Sequence, residues 1–337
     1  MPDNFLLNKI KETSDVLDLH ESIIEKDYYV TQLIQALSGV ENEYFRLVFC
    51  GGTCLAKAHR IVQRMSEDVD FKIQRKPTTD DFSKSHLLKE LKAFRLELQS
   101  KFSIPNLIAS DPVVRNEGKY SRVEFTFPSV FALNDTLRPH ILFEFALSNI
   151  RCDVVTRSVM TLMEETFSEL SLFPHSQTHC VAVHETAIEK WVGLTRRTIA
   201  IERGYHHDDR SLIRHVYDLN AIESAEPVSN EFLMLAKDIV LNDAQQFKNQ
   251  NPEYAANPKE EINRSLDILR TKPVWRERYQ DFIENMVFNP DSAVDYDAAI
   301  NVISDLSKRV ISYLHCNRLI NPIFLRHDEL RYASHIV

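Results

Sequence analysis

FCGGTCLAKAHRIVQRMSEDVDFKI, residues 49–73, combines a double glycine with two carboxylates, Asp68 and Asp70, two residues apart. The run that leads into it, residues 45–50 (FRLVFC), is apolar, aromatic-rich and of strand length, and it stops at Gly51-Gly52. Thr53 then serves as N-cap for a short helix over CLAKAHRIV. Glycines between a strand and a helix start let backbone N–H groups approach an anion, because no Cβ intervenes and the helix dipole favours negative charge. That suits a phosphate. Beyond the helix the chain alternates, with Asp68, Asp70 and Lys72 on one side of a strand and Val69, Phe71 and Ile73 on the other. Two carboxylates thus share one strand face. Like charges so close repel, and a divalent cation that takes hard oxygen ligands, Mg²⁺ or Mn²⁺, relieves the repulsion.

The totals set bounds around this stretch. A chain of 337 residues holds one large domain or two ordinary ones, and 44% hydrophobic with 26% charged residues is globular composition. Six glycines among many Leu, Ile, Glu and Lys point to a mainly helical chain. No apolar run approaches the roughly 20 residues of a membrane span, and the first residues lack the basic, apolar and small-residue order of a secretory signal. A cytoplasmic protein without membrane contact is expected. The five cysteines, Cys50, Cys54, Cys152, Cys180 and Cys316, are odd in number and form no Cys-x-x-Cys pair, which favours reduced thiols over zinc or disulfides. A net charge of -9 argues against non-specific coating of nucleic acid and leaves room for a local basic groove.

Read in order, residues 20–38 predict an amphipathic helix whose stripe of Ile23, Val30, Ile34 and Leu37 includes Asp27. A carboxylate there must be paired, so Glu25-Lys26-Asp27 reads as a structural bond holding the helix to the sheet, with Lys26 exposed. A second helix follows over residues 83–102, then strands over 122–127 and 141–147. Glu144 interrupts the otherwise apolar ILFEFAL and is the preferred third metal ligand beside Asp68 and Asp70; Glu124 is the alternative, although alternation puts it on a solvated face. Residues 159–167 read as helix and 178–183 as a short strand. From 184 onward the chain reads as helical. Lys190, Leu194 and Arg197 share one helix face, and residues 190–215 carry six Lys or Arg against three Asp or Glu. That excess is a place to hold phosphates. In SLIRHVYDLNAI, Arg214 and Asp218 are spaced for an i, i+4 pair, worth only roughly 0.3 to 0.5 kcal/mol. His206-His207-Asp208-Asp209 reads as an exposed loop rather than a metal site. Further helices are expected over 230–245, 260–269, 275–288 and 296–314, with a polar connection at 249–258 and no legible chemistry.

The order strand, Gly-Gly-Thr, helix, Asp-x-Asp strand resembles the signature of polymerase-β-like nucleotidyltransferases. Gly51-Gly52-Thr53-x-Leu55-x-Lys57, followed by Arg64-x-Ser66-Glu67-Asp68-x-Asp70-Phe71, is closer still to the AbiEii/AbiGii toxin family, which includes the MenT toxins. Glu189-Lys190 with Arg196-Arg197, and Arg214-His215-x-Tyr217-Asp218-Leu219, resemble two further blocks of that family, and Glu25-Lys26-Asp27 a fourth. The similarity spans roughly residues 20–225.

The resemblance implies an α+β fold: a polymerase-β-like nucleotidyltransferase lobe of mixed sheet and helices over 1–175, a mainly helical lobe over 176–337, and the cleft between them. It implies active-site positions at Ser66, Asp68, Asp70, Lys190 and Asp218. Gly51, Gly52, Thr53, Lys57, Arg64 and Arg197 are expected to bind the nucleotide. The implied activity is Mg²⁺-dependent nucleotidyl transfer by a toxin of a toxin–antitoxin or phage-defence system, with an NTP as co-substrate and a cognate antitoxin as partner. In MenT-like members the acceptor is the 3′ end of tRNA, whose aminoacylation then stops. His215 departs from the family pattern, where Asp is common. Two other readings share the donor site: transfer to a protein or small-molecule hydroxyl, and nucleotide binding without catalysis.

Overall fold

The computed structural model describes residues 4–133, 137–174 and 176–315, so Cys316 lies outside the described residues. The chain runs α1 (Asn4–Leu17), α2 (Glu21–Leu37), β1 (Phe45–Cys50), α3 (Gly51–Lys57), β2 (Asp68–Arg75), α4 (Lys84–Ser100), β3 (Ile108–Ala109) and β4 (Val113–Arg115). It continues through β5 (Tyr120–Thr126), β6 (His140–Leu147), β7 (Val155–Ser158), α5 (Leu162–Thr166) and β8 (Gln177–Cys180). Helices follow: α6 (Val183–Glu202), α7 (Arg214–Ala225), α8 (Asn230–Gln246), α9 (Pro252–Ala256), α10 (Pro258–Thr271), α11 (Pro273–Met286) and α12 (Tyr296–His315).

The strands form one mixed sheet in the order β3-β5-β6-β2-β1-β8-β7, with β4 also on β5. β1 and β2 are antiparallel, whereas β2 pairs with β6 and β1 with β8 in parallel. Period-two alternation sends Phe45, Leu47, Phe49, Val69, Phe71, Ile73, Val123, Phe125, Phe143 and Phe145 to one face. There they meet Tyr29, Val30, Leu33, Ile34 and Leu37 of α2 and Leu91, Phe94 and Leu98 of α4. Each of these buried side chains contributes about 1.5 to 3 kcal/mol by leaving water. The opposite face is left to Asp68, Asp70, Lys72 and Glu144. Over it sits a second core built from the helices after β8, in which Trp191, Leu194, Leu212, Val216, Leu219, Leu269, Ile303 and Leu306 pack together. The fold is therefore α+β, a sheet-bearing lobe followed by a helical one, with the acidic sheet face between them. Among the described residues no helix is long and apolar enough to cross a membrane.

Several local expectations are corrected. The helix after the glycines ends at Lys57 rather than at residue 62, and Arg60 with φ of +57° turns the chain out of it. The run 159–167 divides: β7 precedes it, and α5 begins only at the capping box of Thr161 and Glu164. ILFEFAL is not apolar on both faces of the sheet, since Phe143 and Phe145 are buried while Glu144 stands on the half-open face, so its charge meets no hydrocarbon core.

Lys26 is fully buried, not exposed. Its ammonium is 2.5 Å from Glu67 Oε2 and donates to the Arg138 carbonyl at 2.6 Å. Glu25 accepts from Ser129 Oγ at 2.7 Å and Val130 N at 2.9 Å. Asp27 pairs with Lys57 and accepts from Leu162 N at 2.7 Å. The carboxylate on the apolar stripe is thus structural, but it ties α2 to α3 and α5 rather than to the sheet. Helix and amphipathic pattern alone cannot show this, because every partner comes from elsewhere in the chain.

Removing one partner of such a buried pair leaves an uncompensated charge, so Lys26→Met should cost about 3 to 5 kcal/mol in urea unfolding. The double variant Lys26→Met/Glu67→Leu should lose less than the single one. A single variant within about 1 kcal/mol of the native chain would show that the pair does not hold the fold.

Candidate active site

β1 ends in extended backbone at Cys50, and Gly51 opens α3 with φ of +78°, a left-handed conformation that favours glycine. A Cβ there would lie 2.6 Å from Asp70 Oδ2, and one on Gly52 would lie 2.5 Å from Arg64 Nη2. The double glycine is required by what packs against it. Two charged side chains reach the backbone only because no Cβ blocks them. Cys50, not Thr53, occupies the N-cap position. Thr53 is buried, its hydroxyl donates to the Asp68 carbonyl, and it sits 2.7 Å from Ser66 Oγ, fastening α3 to the start of β2.

The β2–β6 register puts Asp70 directly beside Glu144, and the β1–β2 register puts it beside Cys50. Tyr120, at the start of β5, donates its hydroxyl to Glu144. Burial, with Asp68 and Glu144 nearby, pushes the Asp70 carboxyl up to about 7. Asp68 is turned toward Arg138, whose Nη1 is 2.7 Å from Oδ1 and Nη2 3.3 Å from Oδ2. Arg138 was not among the residues singled out from the sequence. It lies two residues before β6, and only the parallel pairing of β6 with β2 brings it to Asp68.

The helical lobe answers with a buried triad. Asp218 on α7 has no exposed surface and binds Arg64 through both oxygens, with Nε and Nη2 each at 2.7 Å, and Lys190 of α6 at 2.8 Å. Burial alone would raise the Asp218 carboxyl, but Arg64 and Lys190 outweigh it and hold the group well below its ordinary range. The i, i+4 pair of Arg214 with Asp218 does not form. The Asp218 carboxylate points to the lobe junction, where two cations from distant segments meet it, while Arg214 lies 3.8 Å from Glu67.

Gly51, Gly52, Asp70, Glu144 and Lys190 together line a cleft of about 340 Å³, and His215 joins them. Burial and the adjacent Lys190 push the His215 imidazole well below its ordinary range, and among the described residues its buried Nδ1 has no hydrogen-bond partner. Asp68, Ser66, Thr53, Arg64 and Asp218 connect to these lining residues without themselves lining the cleft. Three other candidates are spent elsewhere. Lys57 pairs with Asp27, Arg197 with Asp209, and Glu124 sits with Arg122 at 3.2 Å on an exposed face. In the loop of His206 to Asp209, Asp208 pairs with Arg278.

Among the described residues no three His, Cys, Asp or Glu side chains are gathered as a metal site, and Arg138 holds Asp68. The donor chemistry nonetheless fits a hard divalent ion. Asp70 and Glu144 are adjacent oxygen donors whose mutual repulsion a cation relieves.

Strand carboxylates beside a glycine break, facing a lysine from a helical lobe, are the arrangement expected of a nucleotidyltransferase, an enzyme that consumes an NTP. The sequence profile of the nucleotidyl transferase AbiEii toxins of type IV toxin–antitoxin systems matches residues 36–302, and the chain belongs to that family. Membership implies an antitoxin partner. Among solved structures, MenT4, a nucleotidyltransferase toxin from Mycobacterium tuberculosis H37Rv, aligns with a TM-score of 0.47 at 16% identity, over 87% of this chain and 94% of that one. No curated protein matches the chain.

Because the folded Asp218 carboxyl lies below its ordinary 3.8, it contributes stability that is complete above that pH and lost as pH falls through the folded value. Asp218→Asn should therefore cost about 3 to 5 kcal/mol at neutral pH, by leaving Arg64 and Lys190 without a buried counter-ion. Its stability should also fall less steeply than that of the native chain below pH 3.8, as read by urea midpoints across the acid range. Parallel acid profiles for the two proteins would contradict the triad.

Proposed function

We propose that this toxin transfers a nucleotidyl group from an NTP to the 3′ end of tRNA, releasing pyrophosphate and stopping aminoacylation. The observation that carries the donor half is the convergence of Gly51, Gly52, Asp70, Glu144 and Lys190 on one cleft. Asp68, Asp70 and Glu144 are the residues that would hold Mg²⁺, or Mn²⁺ in its place. A divalent ion bound there supplies charge neutralisation for the triphosphate and a more acidic attacking hydroxyl.

The remaining roles belong to the chain. Lys190 reaches the cleft from the second lobe and offsets charge on the departing pyrophosphate. Asp218 orients Lys190, and Arg64 keeps Asp218 in place. Gly51 and Gly52 line the same cleft, where their backbone N–H groups would meet the phosphates. Ser66, fixed by Thr53, stands beside the metal carboxylates as a hydroxyl donor. The donor carboxylates come from the strands and Lys190 from α6, so both parts of the chain contribute charge to the cleft.

Purified protein incubated with total tRNA, Mg²⁺ and each labelled NTP in turn, then resolved by gel, tests this. Label should move to tRNA in the native chain and vanish in Asp68→Ala and Asp70→Ala. Lys190→Ala should lower kcat by about 10²–10³. Label on protein, or pyrophosphate release without labelled tRNA, would remove tRNA as acceptor and keep the donor chemistry. No turnover of any NTP by folded protein would sink the reading.

A further inference from the structure

A second pocket of about 320 Å³ reaches the carboxylates through Arg138, the partner of Asp68, and its wall includes Glu67, Arg138, Arg210, Arg214, Arg278 and Asp281. Four arginines against two carboxylates leave an excess of two positive charges in a chain of net charge -9. Asp68 and Asp208, just outside the wall, offset part of that excess. Glu67 is already committed to Lys26 at 2.5 Å and to the Arg138 backbone N–H at 2.7 Å. Arg278 is held by Asp208 and Arg138 by Asp68, which leaves Arg210, 3.8 Å from Asp281, and Arg214 as the arginines of the wall without a close counter-ion among the described residues. Among the described residues Arg214 has one ion pair, with Glu67 at 3.8 Å, too long for a hydrogen bond. Burial and the adjacent Arg64 lower its pKa from the ordinary value, as expected of a guanidinium short of anions.

Asp68 stands between the two pockets. Its strand neighbour Asp70 lines the donor cleft, and its ion-pair partner Arg138 lines the arginine pocket. In an in-line displacement the attacking hydroxyl and the departing pyrophosphate lie on opposite sides of the reacting phosphorus. With the donor triphosphate in the first cleft, the second pocket, which shares no wall residue with it and meets it through Asp68, is a separate place for the acceptor. Planar guanidinium forks suit a phosphodiester, which they bind through two oxygens at once.

We propose that this pocket binds a backbone phosphate of an RNA acceptor next to its 3′ hydroxyl, and that Arg138 is shared between that phosphate and Asp68. The proposal rests on reading the first cleft as the nucleotidyl-transfer site. Before RNA binds, Arg138 occupies Asp68 and keeps it from serving a metal ion. An incoming phosphate gives Arg138 a second anion and frees Asp68. Metal loading is thereby coupled to the presence of acceptor, and Arg138 acts as a positioning residue through Asp68.

The full chain is titrated into a fluorescein-labelled single-stranded RNA with a 3′-terminal deoxynucleotide, in EDTA and without NTP, and anisotropy is read over a range of salt concentrations. Native protein should bind with a clear salt dependence, and Arg138→Gln and Arg214→Gln should each weaken binding and reduce the log–log slope by about one. Arg276→Gln, on α11 and paired with Asp297, should bind as the native chain does. Free Mn²⁺ measured by electron paramagnetic resonance, with the RNA alone as blank, reads the coupling. Native protein should bind Mn²⁺ more tightly when the RNA is present, and Arg138→Gln should bind it as tightly without RNA. Unchanged affinity and slope in both arginine variants would overturn the pocket, and Mn²⁺ binding indifferent to RNA and to Arg138→Gln would overturn the coupling. Because the RNA titration involves no transfer, it can fail while NTP turnover onto another acceptor succeeds, or succeed while all turnover fails. Should Arg138→Gln not fold, as judged by circular dichroism, Arg214→Gln decides the pocket and the RNA dependence of Mn²⁺ binding decides the coupling.

Discussion

One buried carboxylate holds the two halves of this molecule in register. Asp218 has no contact with solvent, and its two oxygens take Arg64 from the segment before β2 and Lys190 from α6. A single charge buried between helices would be intolerable, and two cations from separate parts of the chain make it stable only when both lobes are in place. Arg64 in turn lies over Gly52, where any side chain would displace it. The glycine break, the helical lobe and the cleft are thus one mechanical unit. Changing Asp218 alters the position of the group above the glycines without touching the sheet.

The sheet supplies the other constraint. With one face given to aromatic packing against α2 and α4, the opposite face can carry charge, because it is covered by a helical lobe and not by hydrocarbon from both sides. Asp68, Asp70, Lys72 and Glu144 share that face through strand alternation and the parallel β2–β6 register. Lys72 is answered by Glu185 at 3.5 Å and Glu189 at 2.5 Å from α6, and Asp68 by Arg138 from its own lobe, whereas Asp70 and Glu144 stand side by side with no ion pair among the described residues. Those two carboxylates line the cleft proposed for the NTP and its metal.

What could be read from the sequence was what repeats locally. Alternation over residues 67–73 was enough to put Asp68, Asp70 and Lys72 on one face, and the Gly-Gly break was visible as composition. Partnerships across the chain were not. Arg64 and Asp218 are 154 residues apart, so helical spacing nominated Arg214 instead. Lys26 and Glu67, 41 apart, looked like a surface lysine and an acidic residue in a motif. Arg138 stands outside any strand pattern, and its place at Asp68 follows from the pairing of two strands separated by α4 and a three-stranded excursion. The basic excess over 190–215 is a similar case: Arg196, Arg197 and Arg203 are consumed by Asp243, Asp209 and Glu261, while Lys190, Arg210 and Arg214 reach the pockets. Composition counted all six alike, and only geometry separates the spent cations from the available ones.

The division of labour between the two cations on Asp218 bears on turnover. Lys190 is the one that lines the cleft, and on the proposed mechanism a triphosphate would compete with Asp218 for it. If Lys190 were the only partner, its move to the phosphate would strand a buried carboxylate at a cost of several kcal/mol. Arg64 prevents that, since its two bonds to Asp218, each 2.7 Å, remain when the lysine turns away. The ammonium is a flexible point charge and the guanidinium a planar fork, so the mobile role falls to lysine and the fixed one to arginine. Exchanging them would leave net charge and volume almost unchanged and still defeat the arrangement, because on the proposed mechanism the group free to follow the pyrophosphate would then be the one holding the lobes together.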